Sequence, residues 1–185
     1  MSNEKESREV ATLAGGCFWC IEAVLEQIEG VLLVESGYTG GTVSNPSYEL
    51  VCTGTTGHAE AVRVTFDTEI LEFRDVLEIF FAVHDPTTLN RQGPDIGSQY
   101  RSAIFFHTSL QQVIATEMIQ ELNKSGTWED PIVTEITPNP NFYHAEDYHR
   151  NYYQRNSSAP YCQMMITPKL AKFRGKFQWR LRSAA

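Results

Sequence analysis

Residues 10–30, which read "VATLAGGCFWCIEAVLEQIEG", change their hydrophobic periodicity at a pair of glycines. The first five residues, 10–14, form a short apolar run that predicts a strand ending at Gly15-Gly16. Over 18–29 apolar side chains recur at helical spacing, and a glycine then provides the stop signal. We therefore predict a strand followed directly by a helix, with Cys17 at the junction between them.

The segments after this junction alternate between strand and helix patterns. In 60–67, "EAVRVTFD", the residues Val62, Val64 and Phe66 occupy one face of a strand, and Glu60 has the same parity. The other predicted elements are strands at 31–36, 100–106 and, more weakly, 132–136, helices at 72–84, 109–123 and 145–156, and a loop at 157–162. This mixture predicts an α/β (α+β) fold, a two-layer sandwich with a mixed β-sheet flanked by helices, and it leaves the strand order open.

Length and composition favour one domain. The chain has 185 residues, of which 42% are hydrophobic and 11% aromatic, and this is enough to bury a sizeable core. The turn-rich stretches interrupt periodic segments without a lasting shift in composition, as expected for loops inside one domain. We predict a polar N-terminal tail at 1–8 and a single catalytic domain at 9–185, whose loop-rich C-terminal segment carries Cys162.

Charge and cysteine content restrict the compartment and the partners. The polar start of the chain lacks the apolar stretch of a signal peptide, and no later run is long enough to span a membrane. We therefore expect a cytoplasmic protein, whose four cysteines are catalytic, metal-binding or merely buried. The formal charge of -8 argues against binding to nucleic acid or to an anionic membrane, and an uncharged or protein substrate fits better.

Two thiols lie three residues apart at the predicted junction. The positive end of the helix would lower the pKa of Cys17 and make it a candidate nucleophile, although a cysteine at a strand end is also a common small core residue. Cys20 lies on the same helical face, within disulfide reach, and either resolves an oxidised Cys17 or packs against the sheet. A zinc site is disfavoured because Cys52 and Cys162 are unpaired single cysteines, so we expect no metal.

Other side chains complete a candidate pocket. Phe18 and Trp19 would wall a small apolar pocket beside the nucleophile, unless they are ordinary core residues. If the apolar face of 60–67 is buried, the carboxyl group of Glu60 is desolvated, keeps its proton near neutral pH and can donate it; otherwise Glu60 turns to water. The other candidates are Tyr38, Asp95 and Tyr100. Their hydroxyl and carboxyl groups either supply hydrogen bonds to the site or are structural. The histidines, including His144 and His149 of "HAEDYH", are interpreted as structural or solvent-facing.

Five blocks of the chain, in this order, form a specific pattern. They are "GGCFWC", "GYTGG", "YELVCTGTTGHAEAVRVTFD", "DIGSQYRSAIFF" and "FYHAEDYHRNYY". Together they resemble the A-type peptide methionine sulfoxide reductases, from about residue 9 to Cys162. A lone pair of cysteines with this spacing would be weak evidence, whereas five ordered blocks are specific.

This resemblance implies a role for each matching residue. Cys17 is the nucleophile, and Phe18 and Trp19 form the pocket for the methyl group of the sulfoxide. Glu60 of "GHAE" corresponds to the proton donor of the family, in agreement with its parity. Tyr38, Asp95 and Tyr100 match positions that hold the sulfoxide oxygen or organise water around it.

One departure from the family concerns the resolving cysteine. Most members read "GCFWG", whereas this chain has Cys20 at the last position, and Cys162 in "NSSAPYC" matches the usual distal resolving cysteine. Cys52 is common in the family and has no resolving role that we can argue. The sequence leaves open whether Cys20 competes with Cys162, relays the disulfide or only packs.

The resemblance thus implies a peptide-methionine (S)-S-oxide reductase that repairs oxidised methionine, free or in proteins, and we expect it to be a monomer. The thiolate of Cys17 would become a sulfenic acid and then an intramolecular disulfide, which thioredoxin reduces without any bound cofactor. A general dithiol oxidoreductase of thioredoxin-like design is the second interpretation, and it predicts that Glu60 is dispensable. A zinc-stabilised interaction module is the third, and it predicts bound metal.

Overall fold

The computed structural model describes residues 7–138 and 140–183. Its strands are β1 (Arg8–Gly15), β2 (Val31–Thr39), β3 (Ala59–Asp67), β4 (Arg91–Gln92), β5 (Asp95–Ile96), β6 (Ser102–Phe106), β7 (Glu135–Pro138) and β8 (Phe142–His144). Its α-helices are α1 (Phe18–Leu25), α2 (Tyr48–Cys52), α3 (Phe73–Val83), α4 (Ser109–Ser125), α5 (Tyr152–Arg155) and α6 (Thr167–Lys176). Single 3-10 turns cover Ser98–Tyr100, Asp147–His149 and Gln178–Arg180, and a π-helical turn covers Cys162–Ile166.

Six strands form one mixed sheet in the order β7-β6-β1-β3-β2-β8. Its pairs are antiparallel except for β6 and β7, which run parallel. The first strand therefore lies near the centre of the sheet, and the chain that leaves it enters α1 directly. This arrangement confirms the predicted α/β fold, a single domain with a mixed sheet and flanking helices.

The core lies mainly between one face of the sheet and the helices α1, α3 and α6. Val62, Val64 and Phe66 of β3 are fully buried, as their alternation predicted, and they belong to one large apolar cluster. Burial of such side chains stabilises the fold by about 1.5–3 kcal/mol each. Alanines from the central strands, with Phe105, form a smaller cluster, where short side chains allow close packing.

Several predicted boundaries differ from the structure. The helix predicted to reach residue 29 ends at Leu25, because the backbone at Ile28 pairs with Leu181 instead. The weak strand predicted at 132–136 begins three residues later, at Glu135. The helix predicted at 145–156 is divided at Asn151, whose φ is +50°, into the 3-10 turn Asp147–His149 and the short helix α5. Ser98–Tyr100 is a 3-10 turn, so the strand predicted from Tyr100 begins at Ser102.

The two ends of the chain also differ from the predicted domain description. Most of the predicted polar tail, 1–6, lies outside the described residues, and Arg8 already belongs to β1. The loop predicted at 157–162 is wrong at its end, because helical structure begins at Pro160 and places Cys162 in the π-helical turn. Proline is well suited to the first turn of a helix, and Ile166 and Leu170 anchor this segment in the core.

Candidate active site

The junction of β1 and α1 depends on two glycines. Gly16 has φ +90°, which is unfavourable for other residues, and a Cβ atom there would lie 2.6 Å from Cγ of Gln92. A Cβ atom on Gly15 would lie 2.9 Å from the rings of Phe80 and His84. The chain can therefore turn from strand to helix in two residues and place Cys17 directly before the first turn of α1.

Cys17 and Cys20 are neighbouring residues in the interior, where the backbone N–H of Cys20 donates a hydrogen bond of 3.1 Å to the carbonyl oxygen of Cys17. Cys17 is 8% exposed and Cys20 is 5% exposed. Burial raises the pKa of the Cys17 thiol well above its usual range, and its contact with Cys20 adds to this effect. The neighbouring Cys17 lowers the pKa of Cys20 to about 7, although burial opposes this shift. The prediction of a lowered pKa at Cys17 is therefore wrong, since desolvation outweighs the helix end.

Glu60 lies at the start of β3 with its side chain in the interior, as its parity predicted. The residue is 1% exposed, and its Oε2 accepts a hydrogen bond of 3.1 Å from the backbone N–H of Phe18. This carboxyl group thus satisfies one of the free N–H groups at the start of α1. Burial raises the pKa of Glu60 to about 8, although the hydrogen bond from Phe18 opposes the shift. Glu60 therefore holds a proton at neutral pH, beside the residue that follows Cys17.

Two tyrosines face this carboxyl group. Tyr38 is paired with Glu60 across β2 and β3, so the two side chains lie on the same face of the sheet. Tyr38 is fully buried, and its hydroxyl donates a hydrogen bond of 2.8 Å to Oε2 of Glu146. Burial raises the pKa of Tyr38 and that of Tyr100, and Glu60 contributes to both shifts. Both phenols therefore stay protonated and are able to donate a hydrogen bond.

Asp95 and Tyr161 form a hydrogen-bonded pair, of which only Asp95 was predicted from the sequence. Asp95 lies on the short hairpin of β4 and β5, and its Oδ2 accepts a hydrogen bond of 2.8 Å from the hydroxyl of Tyr161. Tyr161 also lowers the pKa of Cys17 against the effect of burial, and its ring packs edge-on against Trp19 with centroids 5.8 Å apart. The only signal that could have identified Tyr161 is its position directly before Cys162.

Phe18 and Trp19 have different environments. Phe18 is fully buried, and its ring lies 5.8 Å from that of Tyr38. Trp19 is only partly buried, stacks on Tyr152 at 3.6 Å and donates a hydrogen bond of 3.0 Å from Nε1 to Nδ1 of His149. The ring of Trp19 is thus fixed by Tyr152 and His149 and partly exposed to solvent, whereas Phe18 belongs to the core behind it.

His149 and Glu146 are the site residues that sequence reasoning interpreted as structural or did not discuss. His149 is fully buried, and its Nε2 lies 3.3 Å from Oε2 of Glu146. Glu146 also accepts hydrogen bonds from the hydroxyl of Tyr38 at 2.8 Å and from the backbone N–H of Tyr48 at 2.9 Å. The motif "HAEDYH" contained the signal, but its two histidines differ: His144 is exposed and only His149 faces the pocket.

The remaining two cysteines lie in contrasting places. Cys162 is fully buried in the π-helical turn, and burial raises the pKa of its thiol, with a smaller effect from Cys20. Cys52 is exposed at the end of α2. The structure therefore brings Cys162, but not the exposed Cys52, into the interior beside α1.

Residues 7–138 and 140–183 contain neither a metal-binding cluster nor a membrane-spanning helix. In this part of the chain, no group of three or more His, Cys, Asp and Glu side chains is arranged to hold a metal ion. No helix within the same residues is both long and apolar enough to cross a bilayer.

Comparison with known proteins gives one consistent family. Residues 9–181 match the family model described as peptide methionine sulfoxide reductase. The peptide methionine sulfoxide reductase MsrA of Polynucleobacter asymbioticus is 58% identical over 170 residues, which cover 92% of this chain and 90% of that protein.

Solved structures agree with this result. Mxr1 from Saccharomyces cerevisiae in reduced form is 34% identical, with a TM-score of 0.78, over 87% of this chain and 92% of that chain. A further structure, of the yeast Mxr1 in complex with Trx2, is 23% identical with a TM-score of 0.55, over 82% of this chain and 89% of that chain.

Proposed function

The chain belongs to the peptide methionine sulfoxide reductase family and is an oxidoreductase that reduces methionine sulfoxide; on this basis we propose how its residues carry out the reaction. Cys17 is the nucleophile, Glu60 is the acid that protonates the sulfoxide oxygen, and the substrate is the S epimer of methionine sulfoxide, free or in proteins. The observation that carries this proposal is the buried Glu60, which has a pKa of about 8 and contacts the N–H next to Cys17.

The Cys17 thiol must lose its proton before it attacks. The neighbouring Cys20, whose pKa is lowered to about 7 by Cys17, is the proposed base. A protonated Glu60 adds no negative charge beside Cys17, and this favours the thiolate. The proton that Glu60 later donates therefore also keeps a second negative charge away from Cys17 while Cys17 ionises.

The reduction step transfers one oxygen atom. The Cys17 thiolate attacks the sulfoxide sulfur, Glu60 gives its proton to the oxygen, and the S–O bond breaks. The hydroxyl group bonds to the Cys17 sulfur, and the bond between Cys17 and the methionine sulfur breaks with its electron pair going to methionine. Methionine leaves, Cys17 is a sulfenic acid, and Glu60 is left as a carboxylate that water reprotonates. Tyr38, Asp95 and Tyr100 hold the oxygen or its water, and Phe18 and Trp19 enclose the methyl group.

We further propose that Cys20 is the first resolving thiol. It already contacts Cys17 across one helical turn, whereas Cys162 is fully buried within its own turn and would have to move. The Cys20 thiol condenses with the sulfenic acid, which forms a disulfide and releases one water molecule.

A dithiol reductant then restores both thiols by exchange. Thioredoxin is the proposed reductant, with support from the yeast Mxr1, which has been solved in complex with Trx2. Action as a monomer in the cytoplasm stays a prediction.

One single-turnover experiment tests these steps together. The protein is mixed with one equivalent of either sulfoxide epimer without reductant, and the released methionine is measured. Cleavage after glutamate isolates 10–22, which contains Cys17 and Cys20. We expect methionine from the S epimer only, and a peptide lighter by two hydrogen masses.

The outcomes are distinct. Appreciable turnover by Cys17→Ser would remove Cys17 as the nucleophile, and a Cys17–Cys162 cross-link in place of the light peptide would reject Cys20 as the first resolver. Cys52→Ser, which replaces an exposed cysteine, is the matched control and should behave like the parent protein.

A further inference from the structure

A short segment behind the substrate pocket contacts both of its walls. The 3-10 turn Asp147–His149, with the preceding Glu146, packs against the rings of Phe18, Trp19 and Tyr48. Through two hydrogen bonds this segment reaches the indole of Trp19 and the hydroxyl of Tyr38. The proposed reaction uses both of those side chains but assigns no role to the segment that holds them.

The hydrogen bond with Trp19 determines the protonation state of His149. An indole N–H is only a donor, so Nδ1 of His149 must carry a lone pair to accept it. The single proton of the neutral ring therefore lies on Nε2, which faces Oε2 of Glu146 at 3.3 Å. This contact does not have hydrogen-bond geometry, so Nε2 has no hydrogen-bond partner among the described residues, and Glu146 acts on the ring as a nearby negative charge that favours a proton on Nε2.

We propose that His149, through its hydrogen bond with Nε1 of Trp19, positions the indole as a wall of the substrate pocket, and that a proton added to His149 releases this wall and weakens sulfoxide binding. The added proton would occupy Nδ1. The N–H of His149 and the N–H of the indole would then face each other as two donors without an acceptor. The contact with Trp19 is then lost. His149 is a positioning residue in this scheme. The identification of the pocket as the sulfoxide-binding site rests on the proposed function.

The surroundings of His149 provide both a proton path and competing charges. A polar cavity of about 320 Å³ reaches His149, so solvent protons have access to a ring that is otherwise buried. Burial lowers the pKa of His149, while the negative charges of Glu146 and Glu49 oppose the shift. The titratable and charged groups around it are Glu22 from α1, Glu35 from β2, Tyr48 and Glu49 from α2, His144 from β8, and Glu146, Asp147, Tyr148 and Arg150 from its own segment.

Trp19 fluorescence gives a test that needs no turnover. The chain has three tryptophans, so Trp128→Phe with Trp179→Phe leaves Trp19 as the single indole emitter. Cys20→Ser in the same protein removes the thiol directly after Trp19, whose pKa is about 7. We expect the emission to change in one transition below the usual histidine pKa, and we expect His149→Asn to abolish it, because its Oδ1 accepts from Trp19 and does not titrate.

Two controls separate this transition from other causes. Glu22→Gln replaces the other buried acid of the cavity, whose pKa is raised to about 7 by burial, and should leave the transition in place. The midpoint of urea unfolding, measured for each variant, identifies any loss of folding. A transition that persists in His149→Asn, or one that is absent from the parent, would overturn the proposal.

Kinetics on the otherwise unmodified protein give an independent readout. His149→Leu removes the acceptor and should raise KM by about three- to tenfold, the usual range for one hydrogen bond, with a smaller change in kcat. His149→Asn should restore KM and remove its rise at acidic pH. If His149→Leu lowers kcat alone, or if His149→Asn is as impaired as His149→Leu, His149 does not position the pocket wall.

Discussion

The β1–α1 junction and the C-terminal segment from Pro160 onward both bring a cysteine to the site, but they are built in different ways. At the junction, Cys17 is placed by a strand near the centre of the sheet, by Gly16 with its φ of +90° and by the carboxyl group of Glu60. In the C-terminal segment, Cys162 lies in a π-helical turn that Ile166 and Leu170 anchor in the core. The position of the proposed nucleophile therefore depends on backbone geometry at the β1–α1 junction, whereas the C-terminal segment supplies groups that surround it.

The largest effect should come from the acid at the junction. Glu60→Gln keeps an acceptor for the N–H of Phe18 but has no proton to donate, so the single-turnover rate should fall by roughly 10²-fold. Rapid-quench measurement of methionine gives this rate. A rate equal to that of the parent would place proton donation elsewhere and would favour the general dithiol oxidoreductase.

The charge state of this acid is also measurable. Because its pKa is about 8, Glu60 should show an infrared band of a protonated carboxyl group at neutral pH, and the band should disappear as the pH rises through about 8. The difference spectrum against Glu60→Gln removes the contribution of Glu22. A band already absent from this difference at neutral pH would contradict the assignment.

An intermediate effect is expected for two glycines, one from each region. Gly16→Ala forces a left-handed backbone and a contact with Gln92, so it should lower the free energy of unfolding by about 1–3 kcal/mol. Gly175, which lies in α6 with open space around its Cα, is the matched control. Gly175→Ala should raise the free energy of unfolding by about 0.5 kcal/mol, because alanine favours a helix. Equal effects in urea unfolding would show that the two regions do not differ as described.

The smallest effect should come from the C-terminal segment. Tyr161→Phe keeps the ring against Trp19 and removes the hydroxyl bonded to Asp95, so kcat/KM should fall by about three- to tenfold. Steady-state assays with a dithiol reductant measure this change. A loss as large as that of Glu60→Gln would move Tyr161 from a surrounding group to the reaction itself.

Prediction from sequence succeeded where short-range periodicity decides the outcome. The parity of β3 predicted the burial of Glu60, and the glycine pair with its apolar flanks predicted the strand-to-helix junction. It failed where distant contacts decide: the lowered pKa expected for Cys17 ignored burial on all sides, and the loop expected at Cys162 ignored the core that receives Ile166 and Leu170. The roles of the site residues stay predictions until the variants are measured.

By itself the sequence determined the strand at β3, the helical face that carries Cys17 and Cys20, and the family, because these depend on residue types at fixed short spacings. Only the tertiary structure decided that Tyr161 meets Asp95, that His149 holds Trp19, and that burial reverses the expected shift at Cys17. These outcomes join residues far apart in the chain, and desolvation depends on everything packed around a group, so no local pattern contains them.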